Sequence, residues 1–312
     1  MAGILKNEMP KEIFLASFFS GEGHAGSDTG LQIGISQDGR EFWNITDTPE
    51  PLYTPENGLR DPHILYRNGY WYLAHSHGPS ISPVIFILKS KDLKKWIPMC
   101  HLRLANDFPD GNNFIDTPGW ITDSNGCVHV IACVDNNHHW VETHPLSDDP
   151  DTWSDAGNWS PVIEITDYKG NALIQGNTFV TYKDNTFYMA FNDIENSALF
   201  MRTSKNLVSG WAPPQKLDAY SPKGATESEN ILFLEDGTMR FYVSCSNILE
   251  YKIWYIESKD LGNSWSLPVM LKFSGFNHRV NWAQVTRVAD PKAIASLNAY
   301  FQRYISHDRA TH

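Results

Sequence analysis

A segment of about fifty-five residues recurs five times along this chain and closes each time on tryptophan after a short polar turn. The copies are SQDGREFW ending at Trp43, SKDLKKW at Trp96, SDDPDTW at Trp153, SKNLVSGW at Trp211 and SKDLGNSW at Trp265, at intervals of 53, 57, 58 and 54 residues. Such a period is the signature of a repeat architecture, and it dominates every later inference. Between the tryptophans run alternating and β-branched stretches broken by NG, DG and DN turns, among them HILYRNGYWYLAHS and NILFLEDGTMRFYVSC, the pattern of successive antiparallel strands. Four strands in some fifty residues make one propeller blade, a sheet that buries its faces only against its neighbours.

Five such units predict an all-β, five-bladed β-propeller occupying residues 1–312 as one domain, a size that repetitive all-β folds reach. The blades are expected near 12–45, 58–97, 114–154, 173–212 and 225–266. EIFLASFF and LQIGIS near the N-terminus lack a first strand, and residues 280–288 (VNWAQVTRV) form a lone one, so a C-terminal strand joins the N-terminal blade and closes the ring. Helical periodicity is confined to residues 292–305, a short terminal helix.

The chain is acidic, with a formal net charge of −11 and no Lys/Arg-rich run, which argues against nucleic acid or an anionic membrane as partner. Four cysteines without a CxxC pair signal neither a zinc ribbon nor a disulfide framework. No apolar stretch of signal-peptide or membrane-spanning length occurs, which reads as a cytoplasmic protein, or a secreted or periplasmic one if a leader has been removed. Aromatic residues reach 13%, a surplus that sugar-binding surfaces use.

In a propeller the first strand of every blade lines the central channel, so residues at the starts of those strands converge from far apart in sequence. Here they are Asp61, Asp116, Gln175 and the pair Glu227 and Glu229, spaced with the repeat. Converging carboxylates repel, and the cost is relieved by a cation or by holding one group protonated, as glycosidic bond cleavage requires of its general acid. Arg60, His75, His77, Trp120, Gln175, Glu229 and Trp282 are the candidate contacts to an oligosaccharide substrate. Trp71 and Trp140 are further candidates for stacking. His138, His139 and His144 have no matching Cys or carboxylate spacing, so no zinc site is read there.

The SxDxGxxW turn of Ser258 to Trp265 resembles the Asp-box of sialidase-type propellers, in which the Asp bonds turn amides and the Trp packs between sheets. Over nearly the whole chain the blades resemble glycoside hydrolase family 43, most specifically in RDPHILYRNGYWYLAHS at 60–76. That resemblance implies an inverting, exo-acting hydrolase of arabinofuranoside- or xyloside-like linkages. By it Asp61 would be the general base and Glu227, in ESENIL, the general acid, with Glu229 standing where the family has proline. Asp116, in IDTPGW, would be the Asp that orients the acid; strict blade order puts the family residue instead at Gln175, which has no charge. No cofactor is required, although the resemblance allows a structural Ca²⁺ in the central channel near His278. Two alternatives stay open: a carbohydrate-binding propeller without catalysis, favoured by Gln175, and a retaining glycosidase of fructan-cleaving type.

Overall fold

A computed structural model of the chain describes residues 10–20, 30–78, 82–105, 115–134, 139–193, 198–217, 225–247, 250–276 and 280–310. The N-terminal blade holds β1 (Ile13–Ser20), β2 (Gly30–Ser36) and β3 (Glu41–Asn44). The second holds β4 (Leu59–Arg67), β5 (Tyr70–His77), β6 (Val84–Ser90) and β7 (Trp96–Arg103), and the third β8 (Ile115–Thr122), β9 (Val128–Val134), β10 (His139–Thr143) and β11 (Ile163–Glu164). The fourth holds β12 (Thr178–Lys183), β13 (Thr186–Asp193), β14 (Ala198–Ser204) and β15 (Gln215–Lys216); the fifth holds β16 (Ala225–Phe233), β17 (Met239–Asn247), β18 (Glu250–Ser258) and β19 (Val269–Met270). After them come β20 (Lys272–Ser274), β21 (Asn281–Val288) and α1 (Pro291–Ala310).

Each blade is an antiparallel meander in sequence order, because short turns join neighbouring strands. Asn68 and Gly69 both take positive φ (49° and 83°) in the β4–β5 turn, the geometry that an NG hairpin supplies without strain on the glycine. The first blade is the exception, with strand order β20-β3-β2-β1-β21. Strand β21 pairs antiparallel with β1, from Ile13↔Val288 to Phe19↔Asn281, and becomes the inner strand of that blade as the sequence predicts. A second closure was not expected from the sequence: β20 runs parallel to β3 on the outside of the same sheet, Lys272 opposite Glu41. The ring is thus sealed from the C-terminal side at both edges of one blade.

Five apolar clusters among the described residues fill the gaps between adjacent sheets, as many interfaces as blades, which is the condition for a closed ring. Four of the repeat tryptophans, Trp96, Trp153, Trp211 and Trp265, sit in or against these clusters. Trp96, Trp153 and Trp211 are buried and Trp43 and Trp265 half-buried. A buried indole N–H needs an acceptor. Those of Trp96, Trp211 and Trp265 donate to carbonyls of their own turns, Leu93 (3.0 Å), Leu207 (2.8 Å) and Gly262 (3.1 Å). The Asp of the turn, or Asn206 in the fourth copy, accepts loop amides, as Asp92 does from Lys94 and Lys95, both at 2.9 Å. In the last copy, hydrogen bonds from the Ser264 and Ser258 side chains hold the Asp260 carboxyl down at about 2.

Helix α1 starts where Asp290 caps the amides of Lys292 and Ala293 (2.8 and 3.0 Å) ahead of Pro291 at its first position. It spans 291–310, five residues beyond the periodic stretch. Ala293, Ile294, Leu297, Tyr300 and Phe301, spaced as one helical face, close over the core between the first and second blades. Among the described residues no helix is long and apolar enough to cross a membrane.

Candidate functional site

The inner strands β21, β4, β8, β12 and β16 pack side by side around the axis. Four of them carry a bulge near their start. On β4, Arg60 faces Ser76 and His63 faces Ala74, so Asp61 and Pro62 stand opposite His75 alone. On β8, Thr117 and Pro118 oppose only Ala132; on β21, Trp282 and Ala283 oppose only Phe18. On β16 the extra residue is Glu229, between Ser228↔Val243 and Asn230↔Tyr242. A bulge re-aims the side chains beside it, and proteins place bulges next to active sites.

Asp61, Thr117 and Trp282 occupy the same point of their bulges, all with positive φ (48°, 51° and 48°). That conformation costs an L-residue roughly 1–2 kcal/mol, and a β-branched threonine is especially unsuited to it. The strain is held by the ring closure: Gln284 of β21 donates to the Asp61 carbonyl (3.2 Å), and Ser17 of β1 donates to the Pro62 carbonyl (2.6 Å). The register corrects the equivalence drawn from the repeat. Thr117 lies level with Asp61, and Asp116 with Arg60; the two prolines, Pro62 and Pro118, were the signal that would have aligned them.

The bulges nevertheless bring Asp61 and Asp116 together, with their carboxyl groups in hydrogen-bond contact. Asp61 is only 6% exposed and also receives Ser76 Oγ (3.2 Å) and the Thr117 N–H (3.4 Å). Asp116 is half-buried, with the Thr117 N–H 3.0 Å from its Oδ1. Burial, and then the adjoining Asp116 charge, push the Asp61 carboxyl well above the usual carboxylate range, opposed by Arg60 and the Thr117 amide. Two like charges about 4 Å apart in a protein-like medium repel by about 4 kcal/mol, more than one neutral hydrogen bond returns, so the pair keeps a proton to higher pH than an isolated Asp. If Asp61 must ionise to act, the acidic limb of a pH–rate profile lies correspondingly high. Asp116→Asn removes the repulsion and is expected to move that limb of kcat/KM to lower pH; a limb that stays in place would separate the two groups functionally.

The other candidates divide. Arg60 reaches the mouth, its guanidinium 5.8 Å from the ring centres of both Phe19 and Trp282, which stack on each other at 5.2 Å. Trp282 is half-buried there. His75, expected to meet sugar hydroxyls, is instead 1% exposed, stacked on Phe86 (4.9 Å) with Nδ1 at 2.7 Å from the Ser76 carbonyl, and burial pushes its pKa down to about 4. His77, on the same strand face, is half-buried 5.8 Å from Phe86. Trp120 is 5% exposed between blades, against Trp153 and Trp159, its indole N–H donating to the His63 carbonyl. Trp71 and Trp140 are likewise buried in blade interfaces. Gln175 turns into its own blade, Nε2 donating to Thr178 Oγ1 (2.8 Å) and lying 3.0 Å from Met189 Sδ. Glu227 and Glu229 are placed by backbone alone, Glu227 opposite Ser244. His278 and His138 lie outside the described residues.

Beyond the mouth, a cavity of about 360 Å³ runs between the inner strands, lined among others by His63, Thr122, Thr181, Asn230, Thr286 and Arg287. His63 Nδ1 accepts the Trp120 N–H (2.9 Å), and burial pushes its pKa down to about 4, so the ring is neutral. The described lining contains no carboxylate. The Asn230 amide is committed to the Val285 carbonyl and the Ile231 N–H. Calcium takes six to eight oxygen ligands, and the described channel residues do not fit it. The described residues do include one group with metal-ligating character, His129, Glu142 and His144, but it lies off the axis on the second and third strands of the third blade.

The architecture is therefore a five-bladed propeller whose inner strands bring a buried, strained Asp61 into carboxyl contact with a half-buried Asp116. No protein-family model matches the chain, and no curated protein sequence does. Solved structures match it in fold: the exo-β-1,3-galactanase from Clostridium thermocellum at a TM-score of 0.63 and 11% identity, over 91% of this chain and 71% of that one. A family 43 endo-arabinanase from Bacillus licheniformis matches at 0.54 and 15% identity over 85% and 98%. A family 43 enzyme from Xanthomonas citri complexed with xylose matches at 0.56 and 11% identity over 86% and 88%. At these identities the shared property is the five-bladed propeller of the glycoside hydrolase family 43 structures.

Proposed function

We propose that the protein is a glycoside hydrolase acting on a short oligosaccharide or glycan side chain, exo-acting and inverting, with Asp61 as general base. The observation that carries this reading is the strained Asp61 carboxyl, buried in contact with Asp116 at the axial mouth where the blades converge. Strain and a raised carboxyl proton affinity together are costly for the fold, and such costs cluster at sites of chemistry. The galactanase, arabinanase and xylose-bound enzymes that share the fold support a glycan as substrate class.

In this reading Asp61 removes a proton from water as the water oxygen bonds to the anomeric carbon. Glu227 gives its proton to the departing glycosidic oxygen, and one bond to the anomeric carbon replaces another with inversion. Asp116 touches the base, so it sets the proton affinity of Asp61; it is too close to Asp61 to be the acid across an intervening water, which needs about 6.5 to 9.5 Å. In this reading Arg60 and Trp282, which pack beside the base, would contact the sugar. The chemistry needs no cofactor.

Aryl arabinofuranosides, xylosides and β-galactosides, with the first anomer released followed by NMR, test the proposal. Turnover of at least one with an inverted first product is the expected result. Retention would replace the water-activating role of Asp61 by a nucleophilic one, and ligand binding without turnover would leave a carbohydrate-binding propeller.

A further inference from the structure

We propose that His129, Glu142 and His144 form a structural site for one zinc-class divalent cation, within the third blade and apart from the axial mouth. His129 lies on β9 and Glu142 on β10, with His144 just past its end, and their ligand atoms lie within 4.8 Å of one another. Glu142 is opposite Ile131, two residues from His129, so strand alternation puts all three on one face of the sheet. Both Nδ1 atoms converge on Glu142 Oε1, at 2.7 Å from His129 and 2.9 Å from His144.

The carboxylate is used unevenly. Glu142 is 1% exposed, and its second oxygen, Oε2, is buried with no donor among the described residues. A carboxylate buried only to accept hydrogen bonds would have both oxygens supplied. Ligands on a tetrahedral ion with bonds of about 2.0–2.1 Å stand about 3.3 Å apart, so each histidine would draw back from Glu142 Oε1 by about half an ångström to admit one.

Outer contacts are also present. His129 Nε2 faces Asp123 Oδ2 at 3.8 Å, an ion-pair distance from which a small closure would make the carboxylate–histidine hydrogen bond that orients ligating imidazoles. Ser160 Oγ accepts the His144 backbone N–H at 3.0 Å, while Thr143 Oγ1 donates to the Ser160 carbonyl. Two imidazoles and one carboxylate suit zinc and its late first-row neighbours, and are too few and too nitrogen-rich for calcium. The site would pin β9, β10 and the Ser160 segment together. Cys133, which faces Asp116, is four residues from His129 along β9, roughly 13 Å away at strand rise, so the role is structural.

Chelator-treated full-length protein dialysed free of metal and titrated with ZnCl₂ against a chromophoric competitor is expected to bind one zinc per chain with a rise in Tm. CoCl₂ should give visible d–d absorption of a low-coordinate nitrogen and oxygen site. His129→Gln and His144→Gln should each weaken zinc by more than about 100-fold, beyond what outer-shell changes such as Asp123→Asn produce. Folded protein that neither binds zinc stoichiometrically nor develops the cobalt spectrum overturns the proposal and leaves a metal-free His–Glu–His hydrogen-bond cluster. Undiminished binding in the folded double variant overturns it equally, by moving the metal elsewhere.

Discussion

Asp61→Asn is expected to lower turnover of an aryl glycoside by about 10²–10⁴-fold, the range supplied by a positioned acid or base, and at the same time to raise Tm at neutral and alkaline pH. The two effects have one cause. Burial and Asp116 hold the Asp61 pKa above its unfolded value, so the native state prefers the protonated form. The stability this contributes is complete below the ordinary carboxylate pKa of about 4 and is lost as pH rises through the raised native value. Above that window the parent carries a charge it holds poorly; Asn does not. The Tm advantage of Asp61→Asn should therefore grow with pH and vanish below about pH 4. Asn also tolerates the left-handed backbone at this bulge, whereas Asp61→Ala would add about 1 kcal/mol of strain and blur the comparison. Rate against pH and Tm against pH for the same variant are the measurements. Unchanged turnover would remove Asp61 from the chemistry, and a Tm lower at every pH would remove the raised proton affinity.

Glu227→Gln is the second large effect, a loss of about 10²-fold or more on a substrate with a poor leaving group and a smaller one on an activated aryl glycoside. The gradient identifies an acid, because an activated leaving group departs without a proton. Glu229→Gln is the necessary companion. Glu229 is the extra residue of the β16 bulge, while Glu227 sits in regular pairing opposite Ser244. If the leaving-group dependence follows Glu229 instead, the acid is the bulge residue and the reaction scheme otherwise stands. Should neither substitution produce it, the hydrolytic scheme loses its proton donor.

The blades were legible in the sequence because the repeat is written residue by residue, Ser–Asp turn to tryptophan, and the turn bonds of Asp92 and Asp260 show why those letters recur. Ring closure by 280–288 was legible because the first blade lacked a strand. The second closure, by β20, was not: three residues pairing parallel with β3 leave no periodicity to read.

At the site, convergence of Asp61 and Asp116 followed from the spacing, but their level did not, since the repeat aligns Asp with Asp where the strand register aligns Pro62 with Pro118. Trp120 and His75 fit a sugar site in sequence and lie buried in the fold, because the same residue types fill blade interfaces. Gln175 stands where a charge was expected, and its Nε2 is turned onto Thr178 and Met189 within its own blade. His129 escaped notice as a partner of His144 because the two meet only through adjacent strands.

The amide of Gln284 on the carbonyl of Asp61 spans 223 residues of sequence. A ribosome adding about 5–20 residues per second needs roughly 10–45 s to cover that interval. Throughout it β1 presents an open inner edge and the Asp61 bulge lacks its anchor, although the blade that carries Asp61 can already have formed. Nascent chains would thus be largely structured before they are competent, and the unpaired β1 edge is the segment a holdase chaperone would need to shield.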